Sequence, residues 1–153
     1  MPITWQHYTF TQLDLKLLYA ILRLRAEVFV VEQNCPYQDL NDKDQSALHL
    51  CGFDGEGRLA AYTRIFRKNI SYSDYASIGR VTTASFARGQ GLGRPLMQES
   101  VRVLFEHYGE QDVKISAQAH LQKFYASVGY EPVGDIYDED GIPHTAMIRS
   151  LAG

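Results

Sequence analysis

Residues 85–97 read "SFARGQGLGRPLM" and place three glycines within five positions, directly before an apolar run. Glycine loses more backbone freedom on folding than any other residue. Three so close together indicate that the chain needs unusual dihedral angles or a close approach here. The segment 76–83 before them alternates like a strand, and the residues from about 92 to 107 have apolar side chains at helical spacing. The stretch therefore predicts a glycine loop that joins a strand to a helix.

A loop of this kind is suited to binding an anion. The order strand, loop, helix directs main-chain N–H groups and the positive end of the helix at one point, as phosphate requires. A Walker A loop needs GxxxxGK[ST] and a dinucleotide loop needs GxGxxG, whereas residues 89–93 read GxGxG. Arg88 can pair with phosphate oxygens. Pro95 fits the first helical turn, where a missing N–H needs no partner, so the N–H groups of 89–94 stay available to a ligand.

Composition limits the class of protein. The chain has 153 residues, a net charge of −3, and 45% hydrophobic and 22% charged residues, which predicts one domain over 1–153. The charge gives no general attraction to nucleic acid or an anionic membrane. No apolar run is long enough for a membrane helix, and the first ten residues lack the pattern of a secretory signal. Cys35 and Cys51 lack the spacing of zinc ligands or of a disulfide framework. These features predict a cytoplasmic protein with reduced thiols and no metal.

Hydrophobic periodicity predicts an α+β or mixed α/β domain with seven strands and three helices. Thr11 is a candidate cap for the first helix, and Gly129 is expected to stop the third. The turn at 54–57 predicts a hairpin. The predicted strands are 3–10, 48–53, 58–67, 76–83, 112–119, 130–138 and 143–151, and the predicted helices are 12–30, 92–107 and 121–128.

Two of these segments resemble a known family. The strand "IGRVTT" (78–83) followed by "ARGQGLG" (87–93) is similar to motif A of the GNAT superfamily of N-acetyltransferases, whose signature Q/R-x-x-G-x-G/A is matched by Arg88, Gly91 and Gly93. The segment "HLQKFYASVGY" (120–130) resembles motif B. Together with "LRAEVFVVEQNCPYQDL" (24–40) and "EDGIPH" (139–144), they resemble the bacterial ElaA-like branch of that superfamily. The resemblance covers nearly the whole chain.

The resemblance implies a fold and a co-substrate. The fold is a seven-stranded mixed sheet, flanked by helices, in which the central parallel strands 76–83 and 112–119 splay apart and acetyl-CoA lies in the gap. The diphosphate would lie on the N–H groups of about 89–94, and the pantetheine arm would pair with the main chain of Val81 and Thr83 like an added strand. The implied cofactor-binding residues are Val81, Thr82, Thr83, Arg88, Gly89, Gln90, Gly91, Leu92, Gly93, Arg94 and Tyr125.

The implied reaction is direct attack of an amine on the acetyl thioester. Tyr125 matches the motif B tyrosine that protonates the leaving thiolate, and the alternative is that it is an ordinary core tyrosine. The N–H of Val81 or Thr82 is the implied donor to the oxyanion. The general base stays open between His120, Glu32, His49, His144 and an ordered water. Arg80 would suit a carboxylate on the acceptor if it faces the cleft, and otherwise forms a surface pair.

The acceptor is expected to be a primary amine on a small molecule or peptide. Acidic residues cluster in the segments 32–44 and 135–140, and they would attract a cationic amine if both segments border the cleft; alternatively both are solvated loops. A homodimer is one expected state. Other functions stay open. The segment "LRAEVFVVEQ" (24–33) also resembles the first helix of acyl-homoserine-lactone synthases, which use longer acyl donors. A binding module without turnover and a globular protein without a ligand are two further alternatives.

Overall fold

The computed structural model describes residues 2–151, so both ends of the predicted domain 1–153 lie outside it. Within this range the chain forms seven strands and three α-helices, as the periodicity predicts. The strands are β1 (Thr4–Thr9), β2 (Leu48–Phe53), β3 (Leu59–Phe66), β4 (Ser77–Thr83), β5 (Val113–Gln118), β6 (Tyr130–Glu139) and β7 (Ile142–Arg149). The α-helices are α1 (Leu15–Arg25), α2 (Gly93–Tyr108) and α3 (Gln122–Ser127). None of these helices has the length and apolar content needed to cross a membrane.

The strands form two antiparallel sheets. The first has the order β1-β2-β3-β4 and the second the order β5-β7-β6. The sheets meet at one parallel bridge between Ala76 and Val113, where the N–H of Lys114 donates to the carbonyl of Ala76 at 3.0 Å. The single seven-stranded sheet that the resemblance implies is therefore not what the structure shows. The reason is that β4 pairs fully with β3 on one edge, whereas its other edge meets β5 at this bridge alone.

The first helix begins later than the sequence pattern predicts. Asp14, and not Thr11, is its cap, because the Asp14 carboxylate accepts a hydrogen bond from the N–H of Leu17 at 2.7 Å. The residues before it form a separate 3₁₀ turn, Phe10–Gln12, closed by a capping box between Thr9 and Gln12. After Arg25 the chain continues as a π-helical segment, Ala26–Glu32. This segment carries Glu32 to the edge of the candidate site.

Helix α2 packs its apolar face against both sheets. Leu96 and Leu104 are 0% exposed and join one cluster with Leu50 of β2, Ile115 of β5 and Met147 of β7. Full burial of one such side chain is worth about 1.5–3 kcal/mol. The burial of Leu92, Leu96, Met97, Val101 and Leu104 confirms the apolar face that the sequence predicts for this helix. Because this packing holds the start of α2 in place, it also fixes the position of the glycine loop.

Candidate functional site

A cavity of about 410 Å³ lies where β4 and β5 separate. One wall is formed by β4 with Ile78, Gly79, Arg80, Val81 and Thr83, and the opposite wall comes from β5, α3 and the start of β7. The π-helical segment 26–32 and residues 33–37 close a third side. The cavity is therefore bounded by elements far apart in the chain, and it lies at the edge where β4 has no strand partner.

The glycines of the loop have two different structural roles. Gly89 and Gly91 have φ values of +78° and +72°, in the left-handed region that side chains disfavour, and a Cβ at either position would meet nothing within 4 Å. They are required by the path of the chain. Gly93 makes a close packing contact, because a Cβ there would lie 3.0 Å from Cζ of Phe124 in α3. The chain thus turns sharply at Gly89 and Gly91, and at Gly93 the start of α2 packs closely against Phe124 of α3.

The loop leaves a row of main-chain donors without protein partners. Within residues 2–151 nothing accepts a hydrogen bond from the N–H groups of Gly89, Gln90, Gly91 or Leu92. Helix α2 then begins at Gly93 with no side-chain cap, so its first N–H groups are also free. These donors directly precede the positive end of a 16-residue helix, and free N–H groups at a helix N-terminus can bind phosphate groups.

Strand β4 contains a bulge beside the cavity. Tyr62 of β3 pairs with Thr82 and Arg64 pairs with Gly79, so that Arg80 and Val81 together oppose one residue of β3. Arg80 has a φ of +50°, which is unusual for a residue with a side chain. The simple alternation of side chains along β4 is therefore interrupted. Arg80 and Val81, the two residues of the bulge, both line the cavity.

Arg88 and Glu32, both predicted site residues, form an ion pair. Nη2 of Arg88 lies 2.6 Å from Oε1 of Glu32, and the same guanidinium donates to the carbonyl of Thr83 at 3.2 and 3.3 Å. The two side chains are 43% and 33% exposed. The guanidinium therefore lies across the end of β4, beside the glycine loop, and is held there by Glu32.

A buried charge network lies behind the cavity. Arg25 is 0% exposed and bonds Asp39 at 2.9 Å and Asp44 at 2.6 Å, and Arg64 bonds Asp44 at 3.0 Å. Arg80 bonds Asp39 at 2.7 Å. Asp39 and Asp44 are therefore occupied by arginines, and they do not form the free acidic border that the sequence suggests for 32–44. Arg80 lines the cavity but is already paired with a carboxylate of the protein.

Tyr125 lines the cavity from α3 with its side chain almost fully buried. Burial raises the pKa of this phenol to about 12, so it is protonated throughout the neutral range. Its ring packs edge-on against Phe124 and Tyr130, with centroids 5.1 and 6.1 Å away. A protonated hydroxyl held rigidly at the cavity wall can donate a hydrogen bond or a proton to a bound group.

His144 is the best-positioned histidine of the cavity, although the sequence offers it only as one further candidate. Its Nδ1 lies 2.8 Å from the carbonyl of Ile142, an acceptor, so Nδ1 carries the proton. In the neutral ring the lone pair is then on Nε2, which lies 3.3 Å from Oε2 of Glu139. The ring is buried and stacks on Tyr137. The bond to the carbonyl of Ile142 therefore fixes the tautomer.

The other predicted bases have different surroundings. His120 also lines the cavity but is exposed. His49 is held in the core by Tyr62 at 2.6 Å and the carbonyl of Asp44 at 2.8 Å, and burial lowers its pKa. It is not among the residues that line the cavity, which removes it as a candidate base.

A family model described as an acetyltransferase (GNAT) domain matches residues 12–151. The chain belongs to the GNAT acetyltransferase family. The relatives agree: it is 41% identical over 151 residues to protein ElaA of Escherichia coli K12, covering 97% of each chain. Membership of the ElaA-like branch, which the sequence motifs suggest, is thereby confirmed.

Solved structures place the fold among GNAT acyltransferases. The structure of an acyl-CoA N-acyltransferase from Pseudomonas aeruginosa superposes with a TM-score of 0.90 at 41% identity, over 97% of this chain and all of that one. The AHL synthase LasI superposes with a TM-score of 0.79 at 16% identity, over 98% of this chain and 90% of that one. The second likeness concerns the fold alone. This chain thus has the mixed α/β GNAT fold, which it shares with the acyl-CoA N-acyltransferase of Pseudomonas aeruginosa.

Proposed function

We propose that the protein is an acetyl-CoA-dependent N-acetyltransferase that moves the acetyl group directly from the thioester to a primary amine of a small molecule or peptide. One observation carries this proposal: a single cavity borders the unpaired edge of β4, a buried protonated tyrosine and a histidine whose tautomer is fixed. These are the parts that amine acylation needs.

Acetyl-CoA is assigned to the gap between β4 and β5. Its diphosphate fits the free N–H groups from Gly89 to Arg94, and Arg88 lies close enough in the chain to pair with it. The amides of the pantetheine arm can pair with the main chain of Val81 and Thr83 on the edge of β4 that has no strand partner, where Arg88 now bonds the carbonyl of Thr83. The N–H of Val81 or Thr82 is assigned to the developing oxyanion, because Val81 lines the cavity within the bulge and Thr82 follows it.

His144 and Tyr125 are assigned the two proton transfers. Nε2 of His144, which lies 3.3 Å from Oε2 of Glu139, accepts a proton from the attacking amine. The new bond joins the amine nitrogen to the acetyl carbon, and the bond from that carbon to sulfur breaks. Tyr125 donates its proton to the departing sulfur, since it is the buried phenol on the opposite wall. Glu32 and His120 stay predicted alternatives for the base.

The charges of the cavity favour a cationic acceptor. Arg80 is neutralised by Asp39, and Arg88 would be neutralised by the diphosphate. Glu32, Glu139 and Asp140 then remain as acidic groups along the wall. A positively charged amine is attracted to such a cavity.

A panel of amines tests the reaction. Release of free thiol from acetyl-CoA is measured with small primary amines, amino acids and peptides, and with alcohols and water as controls. Turnover with a primary amine supports the proposal, and turnover only with alcohols or water contradicts it. Octanoyl-CoA in the same assay tests a longer donor. Tight binding of acetyl-CoA without any turnover would instead favour a binding module.

Chemical rescue tests the base. His144→Ala should lower kcat by about 10²–10⁴-fold, and added imidazole should restore part of it. His120→Ala and Glu32→Gln are the matched controls, because both residues also line the cavity. If His120→Ala loses as much activity and responds to imidazole while His144→Ala does not, the base is His120.

A further inference from the structure

A pair of histidines, His7 and His107, lies outside the cavity of the proposed acyl-CoA site. Nε2 of His7 in β1 lies 3.0 Å from Nε2 of His107 in the last turn of α2, and their rings meet edge-on with centroids 4.9 Å apart. A carboxylate oxygen of Glu106 completes a group in which the three atoms lie within 4.8 Å of one another. This is the sole group of three or more potential metal ligands at such spacing among residues 2–151.

The distance between the two nitrogens suits a metal ion. Zinc binds imidazole nitrogen at about 2.0–2.1 Å, so two nitrogens of a tetrahedral site lie about 3.3 Å apart. The observed 3.0 Å requires a shift of a few tenths of an ångström. The two ε-nitrogens are therefore close enough to bind the same ion.

The chemistry of the group selects the class of metal. Two imidazoles and a carboxylate suit Zn²⁺, Cu²⁺ or Ni²⁺, whereas Mg²⁺ and Ca²⁺ prefer oxygen ligands. Glu106 and His107 are exposed and His7 is half-buried, so water can complete the coordination. Glu106 also lies 3.3 Å from Arg102, a long contact that leaves its other oxygen available.

We propose that His7, Glu106 and His107 form a binding site for a divalent transition-metal ion of the zinc class. The ion would tie β1, the edge strand of the first sheet, to the end of α2. The structural consequence is a cross-link between elements 100 residues apart in the chain. Because a bound ion stabilises the folded state alone when the unfolded chain lacks the site, zinc should raise the melting temperature.

Zinc binding to the tag-free protein tests this site. Isothermal titration with ZnCl₂ should give one ion per chain, and His7→Gln and His107→Gln should each weaken binding at least about tenfold. The matched control is His120→Gln, an exposed histidine elsewhere, which should bind zinc like the wild type. MgCl₂ in excess should not compete. Circular dichroism of each variant checks that it is folded.

Three results would overturn the proposal. The first is the absence of saturable zinc binding by the wild-type protein. The second is wild-type affinity in both His7→Gln and His107→Gln, with loss in His120→Gln, which would locate the ion at the cavity. The third is a zinc-dependent dimer in sedimentation at one ion per two chains, since a site within one chain predicts no change in mass. A zinc-induced rise in melting temperature that both His7 and His107 variants lose supports the site independently.

Discussion

Replacement of Glu32 by Gln should tighten the binding of acetyl-CoA. In the structure Glu32 holds the guanidinium of Arg88 at 2.6 Å, so a diphosphate that uses Arg88 must displace this carboxylate. The side chains are 43% and 33% exposed, and pairs with such exposure are worth about 0–1 kcal/mol. Removing the competing carboxylate should therefore lower the Kd of acetyl-CoA by up to about fivefold.

A double-mutant cycle separates this effect from a general change in charge. Isothermal titration gives the Kd of acetyl-CoA for the wild type, Glu32→Gln, Arg88→Ala and the double variant. The tightening should vanish when Arg88 is absent. Equal tightening in both backgrounds would show that Arg88 is not involved, and weaker binding in Glu32→Gln would refute the reasoning. The kcat of Glu32→Gln should stay near that of the wild type, and a loss of about 10²–10⁴-fold would make Glu32 the base.

Three further predictions concern the acid, the loop and the buried network. Tyr125→Phe should lower kcat by about 10²–10⁴-fold in steady-state assays and leave the Kd of acetyl-CoA unchanged; an unaltered kcat would exclude it as the acid. Gly91→Ala should lower the free energy of unfolding by about 1–2 kcal/mol and also weaken acetyl-CoA binding. Gly57→Ala is the matched control, because Gly57 also has a positive φ in open space; it should lower the free energy of unfolding without changing acetyl-CoA binding. Burial raises the pKa of Asp44, but the bonds from Arg25 and Arg64 outweigh this and hold it below its usual range. The stabilisation that the Asp44 carboxylate gives to the folded state is therefore complete above about pH 4, and it is lost as the pH falls through the lower pKa of the folded state. Asp44→Asn should lower the free energy of unfolding by about 3–5 kcal/mol at pH 7, as measured by urea titration. The same variant should make the free energy of unfolding depend less on pH in the acid range.

Local patterns determined much of the fold. The apolar spacing of 92–107 predicts α2 to within one residue at each end, because a helix that packs on a sheet needs a continuous apolar face. Strand β2 and the turn after it are likewise predicted from alternation and from Asp54–Gly57. The glycine loop is predictable for the same reason, since its glycines act through the dihedral angles of their own residues.

The limits of the first helix and the sheet arrangement were not predictable in this way. The cap at Asp14 depends on a competing 3₁₀ turn before it, and Thr11 looks equally suitable in the sequence. The bulge at Arg80 depends on the register between β3 and β4. Neither leaves a signature in the local composition.

The sequence by itself determined the order strand, glycine loop, helix, because these signals lie within about 20 residues of one another. It also identified the family, through motifs that are spread over nearly the whole chain. Only the tertiary structure decided which charges are free and which histidines meet. Arg25 and Arg64 occupy Asp44, Glu32 holds Arg88, and His7 reaches His107 across 100 residues. The physical reason is that ion pairs and shared ligands depend on distances in space, which the packing of both sheets against α2 sets and the spacing along the chain does not.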